Sequence, residues 1–455
     1  MKTHTPPPNA AFATLAQLQA ARELAFDQTM DLVFERHPHY RERLAQLGLK
    51  RGDFARLDDL RQLPLTSKAE YMAAPERFVL ESEGLPAEMQ TIWDTMYTTG
   101  STAGRPTPFV STSFDFFNIL ELQRNMLLLR GVTQQDLIAN LFPITPAPHG
   151  AWIRVLHAAA SLNIPVISTM PGNPSPYFHL GNSLDQVVQR VGSSGATILW
   201  GVPSYVQRAL LRAAEMGQRW PAVRLVFVTG EALTETGRDQ MQQALSAVGA
   251  HQARISISYG ATEMQGGMVE CSPGAGLHNP LPAQMLVEVV DPQTGQPVPD
   301  GQSGAVVLTH LNRRGTVLLR YALGDESVRS LAPCPVCGVI TDRLIQTPRR
   351  SDAMVKVKGM LVHPQALLVA LDQTLGATPY LLSVQALDPH RPLSGDRLLL
   401  QVEGASDPAR GAQLAEQVKA ACGVTPDVQF VEPGALAPTG GSWKAKKFID
   451  QRPAH

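Results

Sequence analysis

Cysteine is scarce in this chain. Four in 455 residues cannot build a disulfide framework, which argues for a reducing compartment. Aromatic residues make up 6% and charged residues 17% of the chain. An excess of either sign is also lacking: 39 Lys+Arg stand against 40 Asp+Glu, a formal net charge of −1. That balance excludes a nucleic-acid or membrane-surface partner held by a basic face. No stretch approaches the ~18 uninterrupted apolar residues of a spanning helix. Gln and Arg interrupt the start, MKTHTPPPNAAFATLAQLQAARE, so no export signal is expected and the expected location is cytoplasmic. No G-x-S-x-G elbow marks a serine hydrolase and no G-x-G-x-x-G marks a dinucleotide fold. The length is ample for two or three domains.

What is present is an α/β texture. Apolar residues recur at helical spacing between about Leu15 and Leu47, predicting one or two amphipathic helices that offer a face to a second copy, and hence a homodimer. Runs at Asn163–Ser168, Thr197–Gly201, Arg224–Thr229 and Arg254–Ser258 alternate with helical stretches at Ser183–Val191 and Ser204–Met216. That alternation is the pattern of parallel strands with crossover helices. Met285–Asp291 and Gly304–Leu311 read as strands of an appended β subdomain. After Arg350 a unit of about 100 residues follows, a usual domain size. It reads as a strand near Ala353–Val357, a helix Pro364–Leu375, strands Leu381–Leu387 and Arg397–Val402, a helix Gly411–Cys422 and a strand Val428–Val431. The expected division is therefore 1–350, α/β with parallel sheets and a β subdomain, and 351–455, a smaller α+β domain.

Five segments carry chemistry. In Tyr97–Thr107 (YTTGSTAGRPT), small hydroxyl residues and glycines let backbone donors approach an anion. It reads as a phosphate cradle or a solvated turn, and it lacks the Walker spacing. In Ser258–Glu263 (SYGATE), Glu263 follows a predicted strand, where α/β sheets place ligands; a carboxylate there can hold Mg²⁺. Tyr259 offers a flat face for a base, and the competing reading is an ordinary strand-end turn. In Leu318–Glu326 (LLRYALGDE), Asp325 is placed to accept hydrogen bonds, as from vicinal ribose hydroxyls. The fourth and fifth segments are Arg349–Gly359 (RRSDAMVKVKG), at the expected domain boundary, and Pro438–Asp450 (PTGGSWKAKKFID). Taken alone, the latter reads as a frayed tail.

Cys271, His278, Cys334 and Cys337 form C-x6-H … C-P-V-C around the strand-rich region. Tetrahedral Zn²⁺ takes four Cys/His ligands, and a closed set of this kind is structural. A redox C-x-x-C pair and unrelated cysteines are the competing readings. Cys422 reads as a core residue of a helix face.

In their order, the five segments resemble the motifs of the adenylate-forming superfamily, which includes acyl-CoA synthetases and peptide-synthetase adenylation domains. Within it, LPLTSK (Leu63–Lys68) and the ending KAKKFID are similar to phenylacetate–CoA ligases, which also commonly carry Cys-His-x-Cys elements. Departures are the extra Ala103, Arg105 where Lys is frequent, Trp443 in place of Gly, and the Pro-rich Leu141–Trp152 on the substrate side.

The resemblance implies an ATP-dependent ligase that activates an aryl or arylalkyl acid as acyl-AMP and passes it to CoA. It leaves open an amine or carrier protein as acceptor, and a non-catalytic nucleotide-binding protein is the rival from another class. It also implies roles. Thr98, Thr99, Gly100, Ser101, Thr102, Gly104 and Arg105 hold the ATP β- and γ-phosphates. Gly230, Glu231, Ala232, Leu233 and Tyr259 surround adenine, with Gly260 and Thr262 beside them. Glu263 holds Mg²⁺, Asp325 the ribose with Arg350 assisting, and Lys444 the carboxylate and α-phosphate. Phe142, Trp152, Tyr205, Gly260 and Ala261 line the acid pocket. Asp352 is the hinge, and the Lys356–Gly359 face guides CoA.

Overall fold

The computed structural model describes residues 12–97, 107–144, 150–172, 181–350, 355–357, 360–362, 364–387, 396–436 and 447–452. Two helices open it, α1 (Leu15–Arg36) and α2 (Pro38–Gln46), parted at His37 because the residue before a proline is pushed out of the helical region. Thr14 and Gln17 close a reciprocal capping box at the start of α1. On α1, Leu18, Phe26, Met30 and Val33 are buried in the chain's own core, while Leu24 is exposed. Arg22 is buried with them. It is paired with Asp342 and donates to the Pro282 carbonyl at 2.7 Å.

Two short helices follow, α3 (Lys68–Ala73) and α4 (Ala87–Gln90), then an antiparallel pair, β1 (Ile92–Tyr97) and β2 (Pro108–Thr112). The predicted phosphate loop, 98–105, joins these two strands and lies outside the described residues. The α/β core then runs α5 (Ser113–Leu129), β3 (Ile138–Asn140), α6 (Gly150–Leu162), β4 (Val166–Ser168), α7 (Leu184–Ser194), β5 (Ile198–Gly201), α8 (Pro203–Glu215), β6 (Leu225–Thr229), α9 (Glu235–Ala247) and β7 (Arg254–Tyr259). Strands β4, β3, β5, β6 and β7 pair in that order, all parallel. Helices cover both faces, so β5 is buried at every position, as its unbroken ILWG run requires.

Past β7 the chain turns antiparallel through β8 (Met268–Glu270), β9 (Leu277–His278), β10 (Met285–Val290), β11 (Ser303–His310), β12 (Tyr321–Ser330), β13 (Arg343–Leu344) and β14 (Arg349–Arg350). These strands were expected as an appendage. They are instead continuous with the parallel half: β12 pairs β13, β13 pairs β9, β9 pairs β8 and β8 pairs β7. One twelve-stranded sheet results, with β14 branching from β12, and one hydrophobic core spans both halves.

A second core is built separately from residues Val357 to Val424, with Phe448 packed against it. Its elements are β15 (Val355–Val357), β16 (Met360–Val362), α10 (Pro364–Leu375), β17 (Tyr380–Ala386), β18 (Asp396–Glu403), α11 (Pro408–Cys422), β19 (Asp427–Val431) and β20 (Phe448–Asp450). The sheet order is β19-β18-β17-β20. Among the described residues no helix is long and apolar enough to cross a membrane.

Candidate active site

A cavity of about 440 Å³ opens where the parallel half of the sheet meets the antiparallel half. Both predicted carboxylates line it. Glu263 comes from the turn after β7 and Asp325 from the middle of β12, so the seam between the two halves brings them to one cleft.

Each carboxylate is fixed by a tyrosine. Tyr321 donates its hydroxyl to Glu263 Oε1 at 2.9 Å, and Tyr259 donates to Asp325 Oδ2 at 2.7 Å. Burial, reinforced by the neighbouring carboxylate charge, pushes both phenols up, so both remain donors. The backbone of Glu263 is held as well. The Leu318 N–H donates to His310 Nδ1 at 3.0 Å, which leaves the proton on Nε2 to donate to the Glu263 carbonyl at 2.9 Å. His310 is pushed down to about 3 by burial and then by the Arg313 charge, so it stays neutral. Arg350 sits across the β12–β14 ladder from Asp325, with its Nε 3.5 Å from Oδ1.

Glycine is needed here for close approach. A Cβ on Gly260 would lie 2.3 Å from the Gly266 carbonyl oxygen, and one on Gly266 would lie 2.1 Å from Leu122 Cδ2. The SYGATEMQGG segment thus doubles back on itself and presses against α5.

Of the predicted site residues, Gly230, Glu231, Ala232 and Leu233 line the cavity after β6. Glu231 also accepts from the Ser204 backbone N–H at 3.1 Å and from its hydroxyl at 3.0 Å, at the start of α8. Tyr259, Gly260, Ala261, Thr262, Phe142 and Arg350 line the cavity too. Trp152 and Tyr205 do not. Helix α6 turns Gly150, Ala151 and Arg154 inward, and at 3.6 residues per turn this sends Trp152 elsewhere, against the main core. Tyr205, on α8, packs on that core as well. Thr98, Thr99, Gly100, Ser101, Thr102, Gly104, Arg105, Asp352, Gly359 and Lys444 lie outside the described residues, and of Lys356 only the backbone, in β15, is described. Lys447, close to the predicted lysine, is tied to the second core through Asp372 Oδ1 at 2.6 Å. Residues that local patterns did not flag also line the cavity, notably Gln123 and Met126 on α5, Arg154, Trp200 and Gln265.

Beside this seam the cysteine–histidine quartet converges. Cys271 follows β8, His278 lies in β9, and Cys334 and Cys337 lie in the turn between β12 and β13; their ligand atoms all fall within 4.8 Å of one another. The Cys271 and Cys334 sulfurs are 3.9 Å apart, well beyond a disulfide bond of about 2.05 Å. His278 Nδ1 lies 3.2 Å from the Val269 carbonyl, which takes its proton and leaves Nε2, 3.4 Å from Cys337 Sγ, as a lone-pair donor. The Val336 N–H points at Cys334 Sγ at 3.4 Å. Three thiol sulfurs and one oriented imidazole nitrogen in one buried cluster fit a tetrahedral zinc ion.

The family of AMP-binding enzymes matches residues 124–312. A phenylacetate-coenzyme A ligase of Thermus thermophilus is 24% identical over 457 residues, covering 96% of this chain and 97% of that one. The phenylacetate-coenzyme A ligase of Escherichia coli is 23% identical, covering 97% and 96%. Among solved structures, 2-hydroxyisobutyryl-CoA ligase in its postadenylation state superposes with a TM-score of 0.78 at 21% identity, over 99% of this chain and 95% of that one. These findings bear out the resemblance to the adenylate-forming superfamily and, within it, to the phenylacetate–CoA ligases.

Proposed function

We propose that the chain is an ATP-dependent acid–CoA ligase acting on an aryl or arylalkyl carboxylic acid. The substrate carboxylate attacks the α-phosphorus of ATP, forming acyl-AMP and releasing pyrophosphate; the CoA thiol then attacks the acyl carbon and AMP leaves. The observation that carries this reading is the meeting of Glu263 and Asp325 in one cavity, each immobilised by a phenol.

Two anions must meet in the first step, so catalysis is chiefly neutralisation and positioning. In this reading Glu263 holds Mg²⁺, whose charge offsets that of the phosphates. Asp325 has acceptor capacity beyond Tyr259 and Arg350 for two ribose hydroxyls. The Gly230–Leu233 backbone and the Tyr259 ring flank adenine. The loop 98–105 binds the β- and γ-phosphates, and Lys444 bridges the acid and the α-phosphate. Residues 351–455 form the mobile domain, turning at Asp352 to bring the Lys356–Gly359 face to CoA for the second step. The quartet holds a structural zinc ion, and its reduced cysteines support a cytoplasmic setting.

The test is AMP release from ATP over a panel of aromatic and aliphatic acids, with and without CoA. Acid-dependent AMP release that requires CoA and yields a thioester is the expected result. Release supported only by an amine or carrier acceptor would replace CoA in this scheme, and no acid-dependent release would overturn it.

A further inference from the structure

Arg154 on α6 joins three separate stretches of chain at the cavity wall, and the adenylation reading gives it no task. It lines the cavity, although only 8% of its side-chain surface is exposed. Gly150, one turn earlier, makes room for its stem: a Cβ there would stand 3.3 Å from Arg154 Cγ. The guanidinium is shared among three partners. Nη1 donates to His157 Nδ1 at 2.9 Å, one turn further along α6. His157 is pulled down to about 4 by burial and then by the Arg154 charge, so at neutral pH its ring can accept. Nη2 donates to Asp94 Oδ2, in β1, at 3.2 Å and to the side-chain carbonyl of Gln265.

Gln265 carries this hold into the turn of Glu263. Its side-chain amide donates to the Thr262 carbonyl at 2.6 Å, and its backbone N–H donates to the same carbonyl at 3.1 Å. Thr262 precedes Glu263 in a single 3₁₀ turn, Thr262–Met264, which Gln265 ends. Gln265 does so at φ +55°, in the left-handed region that a Cβ disfavours, so the surrounding contacts must hold it there. Those contacts include the Gln123 amide on its backbone carbonyl at 3.2 Å and Arg154 on its side chain.

As a source of stability this network is poor. Arg154 and Asp94 are both largely withdrawn from water, and among the described residues Arg154 Nε and Asp94 Oδ1 have no partner. Desolvation of that kind offsets much of the gain from an ion pair, whereas the planar fork of a guanidinium fixes direction well. We propose that Arg154 is a positioning residue for adenylation: held by Asp94 and His157, it fixes Gln265 and so the turn from which Glu263 meets Mg²⁺. This deepens the ligase reading above and rests on it and on the role given there to Glu263.

The test is calorimetric binding of ATP to the full-length enzyme, once with excess Mg²⁺ and once with excess EDTA. The ratio of the two dissociation constants measures how well the metal is held. Arg154→Met is expected to lower that ratio by about tenfold or more, as loss of a partner that orients a metal ligand does. Arg154→Lys keeps a charge beside Asp94 without the fork and should recover only part of the loss. Gln265→Met leaves the Arg154–Asp94 pair in place, should give a similar loss, and serves if Arg154→Met does not fold. The double variant should lose no more than either single one, since both act through one link. A ratio unchanged in Arg154→Met and Gln265→Met, whatever their melting temperatures, would make the network structural only and overturn the proposal. Losses that multiply in the double variant would overturn the link through Gln265. Glu263→Gln is the control: a wild-type ratio there would remove the role of Glu263 and the proposal with it. None of these failures touches the ligase reading, which falls if no acid of the panel supports AMP release.

Discussion

Glu263 and Asp325 are acceptors whose orientation is set by phenol donors, so the first prediction concerns a hydroxyl. Tyr321→Phe leaves Glu263 Oε1 in its buried turn without the donor that stands 2.9 Å away. The expected cost is about 1–2 kcal/mol in stability and roughly tenfold in kcat/KM for ATP, read by thermal melting and by pyrophosphate exchange. An unchanged ATP dependence would show that the hydroxyl does not position Glu263 for catalysis. Lys444→Ala, motivated by the lysine motif, is expected to slow adenylation by about 10²–10⁴ while largely sparing thioester formation from supplied acyl-AMP. Equal loss in both half-reactions would contradict its assignment to the first. Two buried histidines set a pH dependence: His37 and His310 are each lowered from 6.5 to about 3, chiefly by burial. Between those limits the unfolded chain binds protons that the folded one does not. The stabilisation is therefore complete above about 6.5 and is lost as pH falls toward 3. Urea titrations at pH 7 and pH 4.5 should show the fall, and His310→Gln should flatten part of it. Glu263 and Asp325 were legible because each sits in a short motif whose neighbours announce the chemistry. Gln123 and Trp200 were not, since each looks locally like a helix or strand residue and acquires meaning only when distant segments close around the cavity.

At the level of elements, the quartet lies on the hydrogen-bonded bridge that joins the parallel half of the sheet to the antiparallel half. Cys271 follows β8 and His278 lies in β9, while Cys334 and Cys337 lie between β12 and β13. Both connecting strands in the middle of this bridge, β9 and β13, are only two residues long, too short to hold the seam by ladder bonds alone. A zinc ion here would clamp the two carboxylate-bearing elements in register, because Glu263 precedes β8 and Asp325 lies on β12. Elemental analysis is expected to find one zinc per chain. Cys337→Ser or prolonged chelation should lower the melting temperature by about 5–10 °C, a loss of a few kcal/mol, and raise KM for ATP. A metal-free protein of unchanged melting temperature would exclude the clamp. The helices and parallel strands were readable from periodicity, since a strand buried on both faces must be continuously apolar. The joining of the β region to the main sheet was not readable. It depends on β9 and β13, segments too short to carry a period.

Across the whole molecule, two hydrophobic cores are built from different stretches of chain, and the last strand of the first, β14, is only four residues from β15 of the second. Helix α10 lies beside α9, and a Cβ on Gly376 would come within 3.3 Å of Gln240 Nε2. Short covalent linkage between separately cored units is the geometry in which a single residue can absorb a large dihedral change. The two half-reactions make different demands on this arrangement. In the proposed scheme, adenylation needs the lysine segment at the cavity, whereas thioester formation needs that segment withdrawn and another face presented to CoA. If Asp352 is the hinge, as proposed above, proline there, by locking φ near −65°, would favour one arrangement and deny the other. Asp352→Pro is therefore expected to retain pyrophosphate exchange and to slow thioester formation from supplied acyl-AMP by about 10²-fold, the cost of misplacing a reacting group by an ångström or so. Slower exchange with intact thioester formation would place the hinge elsewhere. Equal slowing of both steps, accompanied by a lower melting temperature, would mean that 351–354 is structural joint and not pivot.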